Sequence, residues 1–234
     1  MPTAPPAALQ TIRGPEDFAA AFGVRQETLE RLIVYEKLLR QWQKAVNLVA
    51  PSTLDSVWHR HFADSAQLVA LAPPGVRSWI DLGTGGGFPG LVAAIVMAGG
   101  PTQSAPSPRF ILIESDTRKC AFLREVARQT GLSQAGLTVD ILSRRAESAS
   151  LSVNESLPRV VSARALASLE RLLGLAAPLS PSGTTLLLLK GREAEREVSQ
   201  ARQHWQFQVA LRPSVTDQHG RIAVVTNLER KAKD

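Results

Sequence analysis

The segment IDLGTGGGFPG at residues 80–90 constrains the fold more than any other part of the chain. Its glycines follow a short apolar run and lead into the apolar stretch LVAAIVMAG, a pattern that predicts a strand, a tight loop and a helix. Glycine lets the backbone approach a ligand without a Cβ in the way, and the start of a helix adds N–H groups with partial positive charge. The segment therefore predicts a ligand-binding loop at the carboxyl end of a buried strand.

The spacing within this loop fits two ligand classes. Gly85, Gly87 and Gly90 satisfy the G-x-G-x-x-G fingerprint of dinucleotide-binding proteins. Asp81 followed by Gly83, Gly85 and Gly87 instead fits the acidic-then-G-x-G-x-G pattern of S-adenosylmethionine enzymes, and a strand-to-helix turn without any ligand is a third interpretation. An acid at the end of the first strand would repel a pyrophosphate, but it would favour a sulfonium and an ammonium group. The loop therefore favours S-adenosylmethionine.

Short apolar runs alternate with helical patterns after Pro73. This alternation is typical of a mainly parallel sheet that helices cover on both faces. Only a short Pro-containing connection separates the last two runs, which predicts an antiparallel hairpin at the sheet edge. The fold expected is α/β, a Rossmann-like doubly wound sheet with that edge hairpin. The seven predicted strands are residues 78–83, 109–114, 137–142, 158–164, 184–190, 205–211 and 221–227.

The chain before Pro73 has a helical pattern instead. A stripe of apolar residues at three- and four-residue steps predicts an amphipathic helix from Thr28, and a second helix is expected from about Thr53 to Leu71. The expected organisation is a disordered tail at 1–14, a helical extension at 15–72 and a cofactor-binding domain at 73–234. The stripe consists of Leu32, Tyr35, Leu39, Trp42 and Val46.

Composition excludes several classes of protein. The chain is 44% hydrophobic, which argues against disorder of the whole chain, and its one cysteine, Cys120, rules out an intramolecular disulfide or a multi-cysteine zinc site. No segment approaches the roughly 18 apolar residues of a membrane span, and the N-terminus does not look like a secretory leader. A cytoplasmic protein without a membrane partner is therefore expected, and we expect a monomer because the sequence shows no obvious dimer helix. The net charge of +6 leaves nucleic-acid binding open.

The end of the second predicted strand carries the next candidate residue, Glu114. A carboxylate at this place accepts hydrogen bonds from both hydroxyls of a ribose, in a dinucleotide or in S-adenosylmethionine. A surface acid that caps the next helix is the alternative. Asp116, directly before TRKCAFL, fits a helix cap better than a ligand contact.

Seven segments together resemble one family, the ribosomal small-subunit methyltransferase G family, also called glucose-inhibited division protein B. Their order and spacing carry the resemblance, which spans most of the chain from about residue 30. The segments are LLRQWQKAVNL (38–48), RHFADS (60–65), IDLGTGGGFPG (80–90), LIESDTRKCAFL (112–123), RRAE (144–147), ARALASL (163–169) and LKG (189–191).

The resemblance implies a class I methyltransferase that uses S-adenosyl-L-methionine, with S-adenosyl-L-homocysteine as product. It implies methylation of N7 of one guanine in 16S rRNA, in a hairpin near the decoding region, on the rRNA or the small ribosomal subunit. It also implies cofactor contacts in the glycine loop and after the second, third and fourth strands. Those contacts are Gly83, Phe88, Glu114, Ser115, Asp116, Ala146, Glu147 and Arg164, to which the loop pattern adds Asp81, Gly85 and Gly87.

Guanine N7 has an in-plane lone pair and no proton, so it attacks a methyl group without a general base. The chain shows no Ser/His/Asp set and no metal-ligand spacing among its histidines. We therefore expect direct in-line transfer with no covalent intermediate, no metal and no certain catalytic residue. Catalysis would come from positioning the two reactants.

Basic residues supply the candidates for positioning and for RNA. Arg164 and Lys190 end predicted strands, where doubly wound folds bind ligands, and both are positioning candidates. Arg60 begins the segment RHFADS, with Asp64 one helical turn later as its expected ion-pair partner. The RNA-binding candidates are Arg60, His61, Arg144, Arg145 and Lys190.

Two other functions stay open at this point. A methyltransferase acting on a small molecule or a protein would share the glycine loop and Glu114, but it would not need the arginines around the pocket. A nucleotide-binding regulatory or dehydrogenase-like protein would carry out no methyl transfer.

Overall fold

The computed structural model describes residues 11–99, 108–149 and 159–232, and within them seven strands form one sheet in the order β3-β2-β1-β4-β5-β7-β6. The first five strands are parallel, whereas β7 is antiparallel to both β5 and β6. The doubly wound sheet and its edge hairpin are confirmed. The strands are β1 Ser78–Leu82, β2 Arg109–Glu114, β3 Thr138–Ser143, β4 Arg159–Arg164, β5 Thr184–Lys190, β6 Trp205–Pro213 and β7 Arg221–Arg230.

Helices cover both faces of the sheet. The helices that follow the parallel strands are α4 Gly90–Ala98, α5 Thr117–Gln129, α6 Leu169–Ala176 and α7 Ala194–Ala201. Side chains alternate across β1, so that Trp79 packs in the core on the α4 and α5 side while Ile80 and Leu82 pack in the core on the α6 side. Because both faces are buried, β1 is buried at every position.

The strand order reverses between β1 and β4. The chain passes from β1 through α4 to β2 on one side, and β4 pairs with β1 on the other side. In doubly wound sheets the crevice at the carboxyl ends of the strands beside such a reversal is where ligands bind. The glycine loop follows β1 and therefore lies at this crevice.

The N-terminal region forms two helices, α1 Pro15–Phe22 and α2 Gln26–Trp42. The amphipathic stripe is confirmed in α2, where Leu32, Tyr35 and Leu39 are fully buried. These helices share one hydrophobic core with α4 and α5. The division of the chain at residue 72 stays a prediction.

The helix expected over residues 53–71 is not one α-helix. The segment consists of a 3₁₀ turn at Pro51–Ser56, a π-helical turn at Trp58–Ala63, a short α-helical turn α3 at Asp64–Ala66 and a 3₁₀ turn at Val69–Leu71. Trp58 contacts Phe18 of α1, while Phe62 contacts Phe88 of the glycine loop. Since the segment is enclosed on more than one side, its backbone follows its surroundings rather than one amphipathic period.

Two predictions extend outside the described residues. Residues 1–10 of the tail expected at 1–14 lie there, and so does Pro158, the first residue of the fourth predicted strand. Among the residues that the structure does describe, no helix is both long enough and apolar enough to cross a membrane.

Candidate active site

A cavity of about 460 Å³ opens at the carboxyl ends of β1 to β4. Its volume lies in the range of about 300 to 1,000 Å³ that small-molecule sites occupy. The glycine loop, the ends of β2 and β4 and the segment after β3 all contribute to its wall. The lining includes these predicted residues: Gly83, Gly85, Phe88, Glu114, Ser115, Arg144, Arg145, Ala146, Glu147 and Arg164.

Residues of the glycine loop adopt positive φ angles, which favour glycine. Gly85 has a φ of +57°, and a Cβ on it would face the cavity with only the Gly83 carbonyl oxygen nearby, at 3.9 Å. Gly87 has a φ of +97° and does not line the cavity. A Cβ there would collide with the Tyr35 hydroxyl and lie 3.1 Å from Leu123. The structure therefore corrects the role of Gly87 from ligand contact to packing against α2 and α5.

Asp81 is also corrected. It is fully buried and does not line the cavity. Its Oδ2 accepts a hydrogen bond from the Gly90 N–H at 2.9 Å, and its Oδ1 accepts one from the Ser162 hydroxyl at 2.6 Å. Burial raises its pKa to about 6, although these hydrogen bonds oppose the rise. Because the chain itself satisfies the carboxylate, Asp81 joins β1 to the start of α4 rather than contacting a ligand.

Glu114 occupies the place expected of a ribose-binding acid. Its carboxylate lines the cavity, with Oε2 accepting from the Gly85 N–H at 3.0 Å and Oε1 accepting from the Asp116 N–H at 2.8 Å. Two backbone donors thus fix the side chain, and each oxygen keeps a lone pair for a ligand hydroxyl. The neighbouring Cys120 is buried, and its thiol donates to the Glu114 carbonyl.

Asp116 caps α5 instead of lining the cavity. Its Oδ1 accepts from the Arg118 N–H at 2.8 Å and from the Lys119 N–H at 3.4 Å, which satisfies two donors at the helix start. Hydrogen bonds from the Arg118 side chain and backbone lower its pKa. The capping role of Asp116 is therefore confirmed, and the cofactor contact that the resemblance implies there stays a prediction.

The segment after β3 brings charge to the cavity. Arg144, Arg145 and Glu147 line it, and Glu147 forms an ion pair with Arg171 of α6 at 3.0 Å. A backbone hydrogen bond and then Arg171 lower the pKa of Glu147. Lys119 and Arg171 also line the cavity, and sequence reasoning missed both. Lys119 lies in the run TRKC and Arg171 in the first turn of α6. Nothing in the neighbouring sequence indicates that these two side chains point toward the cavity.

Arg164 lies at the cavity, and a turn of the N-terminal region surrounds its guanidinium. Nη1 donates to the Arg60 carbonyl at 3.0 Å and to Asp64 Oδ2 at 3.2 Å, while Nη2 donates to His61 Nδ1 at 2.8 Å. The guanidinium carbon lies 5.1 Å from the centre of the Phe88 ring. The expected pair of Asp64 with Arg60 is wrong, because Asp64 pairs with Arg164 and Arg60 lies near Asp217 at 3.9 Å.

His61 is not on the surface where RNA would reach it. The residue is 8% exposed, and burial, followed by Arg164 and Arg60, lowers its pKa to about 3. The imidazole is neutral at neutral pH, which lets Nδ1 accept from Arg164. The buried His61 therefore contacts Arg164 rather than RNA, contrary to the prediction from the sequence. Arg60, the other candidate of this segment, has a side chain that is 51% exposed.

Lys190 is directed into the protein. Its ammonium lies 2.7 Å from Glu197 Oε2 and donates to the Ala167 carbonyl at 2.9 Å, and its side chain is 8% exposed. It does not line the cavity. Lys190 therefore joins β5 to α7 and does not contact phosphate, contrary to what the sequence had predicted.

Two residues of the N-terminal region complete the site, and the sequence did not single them out for it. The Tyr35 hydroxyl donates to the Gly86 carbonyl, and the Tyr35 ring stacks on Phe88 with centroids 5.4 Å apart. Leu48 lines the cavity and lies against Gly86. The apolar stripe predicts that Tyr35 is buried, but it does not predict where its hydroxyl bonds.

The described residues contain no group of three or more His, Cys, Asp or Glu side chains that is arranged to hold a metal ion. The charged side chains that line the cavity are the fixed carboxylate of Glu114, the ion pair of Glu147 with Arg171, and the cations of Lys119, Arg144, Arg145 and Arg164. Such a cavity suits a ligand that carries hydroxyls and both signs of charge.

Comparison with known proteins identifies relatives over most of the chain. The family model GidB, described as rRNA small subunit methyltransferase G, matches residues 28–225. A protein named ribosomal RNA small subunit methyltransferase G from Rhodospirillum centenum is 53% identical over 206 residues, covering 88% of this chain and 87% of its own. One of the same name from Parvibaculum lavamentivorans is 47% identical over 215 residues, covering 91% and 89%.

A solved structure from Corynebacterium glutamicum shares the fold. Its TM-score is 0.52 at 17% sequence identity, and the match covers 82% of this chain and 89% of that one. At this identity the likeness concerns the fold alone.

Proposed function

The chain belongs to the rRNA small subunit methyltransferase G family, and from that premise we propose that it transfers a methyl group from S-adenosylmethionine to N7 of one guanine in 16S rRNA. The family makes it a methyltransferase of the class I fold, with the strand order described above. The observation that carries the proposal is the Glu114 carboxylate, which two backbone donors fix beside the glycine loop at the cavity wall.

The cavity suits S-adenosylmethionine in four respects. The remaining lone pairs of the Glu114 carboxylate accept hydrogen bonds from the two ribose hydroxyls. The glycine loop leaves space at Gly85 that a Cβ would fill. Ala146 and Glu147 line the cavity after β3, where they frame an adenine, and Arg164 supplies a cation for the carboxylate of the methionine part or for an RNA phosphate.

When bound, S-adenosylmethionine supplies an electrophilic methyl group on a sulfonium. Guanine N7 carries a lone pair and no proton, so no residue of this chain has to remove hydrogen. The task of the protein is to hold N7, the methyl carbon and the sulfur in line and to exclude water. Such positioning contributes about 7 to 11 kcal/mol in the most favourable intramolecular reactions.

The cations at the cavity support rRNA as the substrate. Lys119, Arg144, Arg145 and Arg171 line it together with Arg164. A small-molecule or protein methyltransferase does not need this concentration of positive charge, whereas a phosphate backbone is attracted to it. We propose that the protein acts as a monomer in the cytoplasm, on 16S rRNA or on the small ribosomal subunit.

Transfer of tritiated methyl groups tests the proposal. The purified protein is incubated with labelled S-adenosylmethionine and with 16S rRNA or small subunits, taken either from a strain that lacks this methyltransferase or from wild type. We expect label only in the substrate from the deletion strain, at one guanine, because the wild-type position is already methylated. Equal labelling of both substrates, or of neither, would contradict a site-specific rRNA activity. Label in protein instead would favour the rival function.

A further inference from the structure

The π-helical turn Trp58–Ala63, together with the residue that follows it, Asp64, places three hydrogen-bond acceptors on the guanidinium of Arg164. They are the Arg60 carbonyl at 3.0 Å, His61 Nδ1 at 2.8 Å and Asp64 Oδ2 at 3.2 Å. We propose that this turn is a clamp that orients Arg164 for ligand binding and methyl transfer, and that His61 and Asp64 are positioning residues acting through Arg164. The inference rests on the proposed function, which it deepens.

The backbone of the turn explains how the Arg60 carbonyl takes part. In an α-helix the Asp64 N–H would bond to that carbonyl. Here the Asp64 N–H bonds to the carbonyls of His59 and His61, and the Arg60 carbonyl accepts from Arg164. π-helical turns are rare and occur frequently at functional sites.

His61 serves as an acceptor because its tautomer is fixed. The Thr53 hydroxyl has one hydrogen, and it donates this hydrogen to the Ala50 carbonyl at 2.7 Å. The same oxygen lies 2.7 Å from His61 Nε2, so it accepts from that nitrogen. The proton of the neutral imidazole therefore sits on Nε2, and Nδ1 is left to accept from Arg164.

Asp64 is fixed on its other side as well. Its Oδ1 accepts from the Thr216 hydroxyl at 2.8 Å and from Gln67 Nε2 at 3.0 Å. Only Oδ2 is directed to Arg164, with which it forms an ion pair whose two side chains are 17% and 18% exposed. The carboxylate therefore cannot turn away from the guanidinium without losing two further bonds.

The clamp leaves one edge of the guanidinium for a ligand. Both Nη1 hydrogens and one Nη2 hydrogen go to the clamp, whereas no residue in the described part of the chain accepts from Nε. Phe88 covers one face of the group at 5.1 Å, and Arg164 lines the cavity. The remaining N–H groups, on Nε and Nη2, form the fork that binds a carboxylate or a phosphate with two parallel hydrogen bonds.

Substitutions that keep shape but change an acceptor test the clamp. Asp64→Asn keeps an oxygen for Thr216 and presents an amide N–H₂ to Arg164, and His61→Asn is the second variant in case the first does not fold. Asp140→Asn is the matched control, because it breaks an arginine–aspartate pair with Arg109, which begins β2 at the end of the sheet away from the cavity. Each variant is measured as purified full-length protein, for folded fraction, kcat and KM with unmodified rRNA, and affinity for S-adenosylmethionine and for rRNA.

We expect kcat/KM for Asp64→Asn to fall by about tenfold or more per folded molecule, since a displaced positioning group has effects of this size. Asp140→Asn should stay within about twofold of wild type. The decisive measurement is a double-mutant cycle with Arg164→Gln. If Asp64 acts through Arg164, adding Asp64→Asn to Arg164→Gln changes kcat/KM by no more than about twofold.

Two results would overturn the clamp: full activity per folded molecule in both variants, or losses that add independently in the double mutant. If the wild-type protein methylates no rRNA, the proposed function fails separately. The clamp is then tested by the same double-mutant cycle, with the affinities for S-adenosylmethionine and for rRNA as the measured quantities. Asp64→Asn must lower the same affinity that Arg164→Gln lowers. Loss of the first affinity identifies a carboxylate on the free edge, and loss of the second identifies a phosphate.

Discussion

The hydroxyl of Tyr35 donates a hydrogen bond to the carbonyl of Gly86, which joins helix α2 directly to the glycine loop. Both groups are buried, and burial raises the pKa of the Tyr35 phenol well above its ordinary value, so the hydroxyl remains a donor. The N-terminal region therefore holds one side of the glycine loop at the cavity.

Removing this hydroxyl should weaken both the fold and the site. Tyr35→Phe leaves the Gly86 carbonyl without its partner, and we expect the free energy of unfolding to fall by about 1 to 3 kcal/mol. Affinity for S-adenosylmethionine should fall as well, because the loop loses a fixed point. Urea denaturation and calorimetric titration measure the two effects.

Thr130→Val is the control for that variant, since it removes another buried hydroxyl, one that bonds to Val126 in α5. It should leave S-adenosylmethionine affinity unchanged. Equal affinity in Tyr35→Phe and wild type would show that the Tyr35 bond does not shape the loop.

Replacing Glu114 with glutamine should reduce cofactor affinity sharply. Hydrogen bonds to a charged group contribute about 1.5 to 3 kcal/mol each, so losing the charge predicts a decrease of about tenfold to a hundredfold. The amide also cannot accept from both the Gly85 and Asp116 N–H groups. Titration with S-adenosylhomocysteine measures the loss, and Glu125→Gln on α5 should show none. An unchanged dissociation constant would remove Glu114 from the binding site.

The pH dependence of stability should reveal His61 and Asp81 as opposing groups. The pKa of His61 falls from 6.5 to about 3 on folding, so the unfolded chain binds the extra proton and stability rises with pH across that window. The pKa of Asp81 rises from 3.8 to about 6, so the folded chain binds the extra proton and stability decreases as pH rises through that window. Each slope is at most about 1.4 kcal/mol per pH unit.

In the wild type the two slopes oppose each other between pH 4 and 6. His61→Asn removes one of them, so relative to wild type the variant should lose stability as pH rises through this range. Urea denaturation at several pH values gives the difference, in which the other carboxylates cancel. A constant difference between variant and wild type would mean that His61 titrates normally.

The cations that line the cavity should make rRNA binding depend on salt concentration. Arg145→Ala removes one exposed cation at the cavity. If Arg145 contacts one phosphate, the slope of log Kobs against log[salt] becomes shallower by about 0.7 to 0.9. Filter binding at several salt concentrations measures it. Arg128→Ala, on an exposed arginine of α5 paired with Glu125, should leave the slope at its wild-type value. The same slope in both variants would exclude Arg145 from the phosphate contacts.

The strands, helix α2 and the glycine loop could be predicted from local pattern, whereas the segment over residues 53–71 could not. Apolar runs and glycine spacing are properties of neighbouring residues, and so the strands, the edge hairpin and the place of Glu114 followed from them. The direction of a single polar side chain at a strand end could not be predicted in this way, because it depends on partners that lie far away in the sequence. Lys190 turns inward because α7 presents Glu197.

Arg164 shows the same limit at longer range. Its partner Asp64 lies 100 residues away in the sequence and directly follows the π-helical turn Trp58–Ala63, which the helical period did not predict. The helical period alone predicted an Asp64–Arg60 pair, which is the nearest opposite charge along the chain. The competing partner becomes visible only when β4 and the N-terminal region meet.

The hydrophobic core that α1 and α2 share with α4 and α5 has a consequence for cooperativity. Phe18, Tyr35, Phe62 and Phe122 are fully buried in this one cluster, although they come from four different segments. A truncated protein that begins after residue 72 would expose the apolar side of α4 and α5 to water. We therefore expect calorimetric and van't Hoff enthalpies of unfolding to agree, with the helical region and the sheet melting as a single thermodynamic unit.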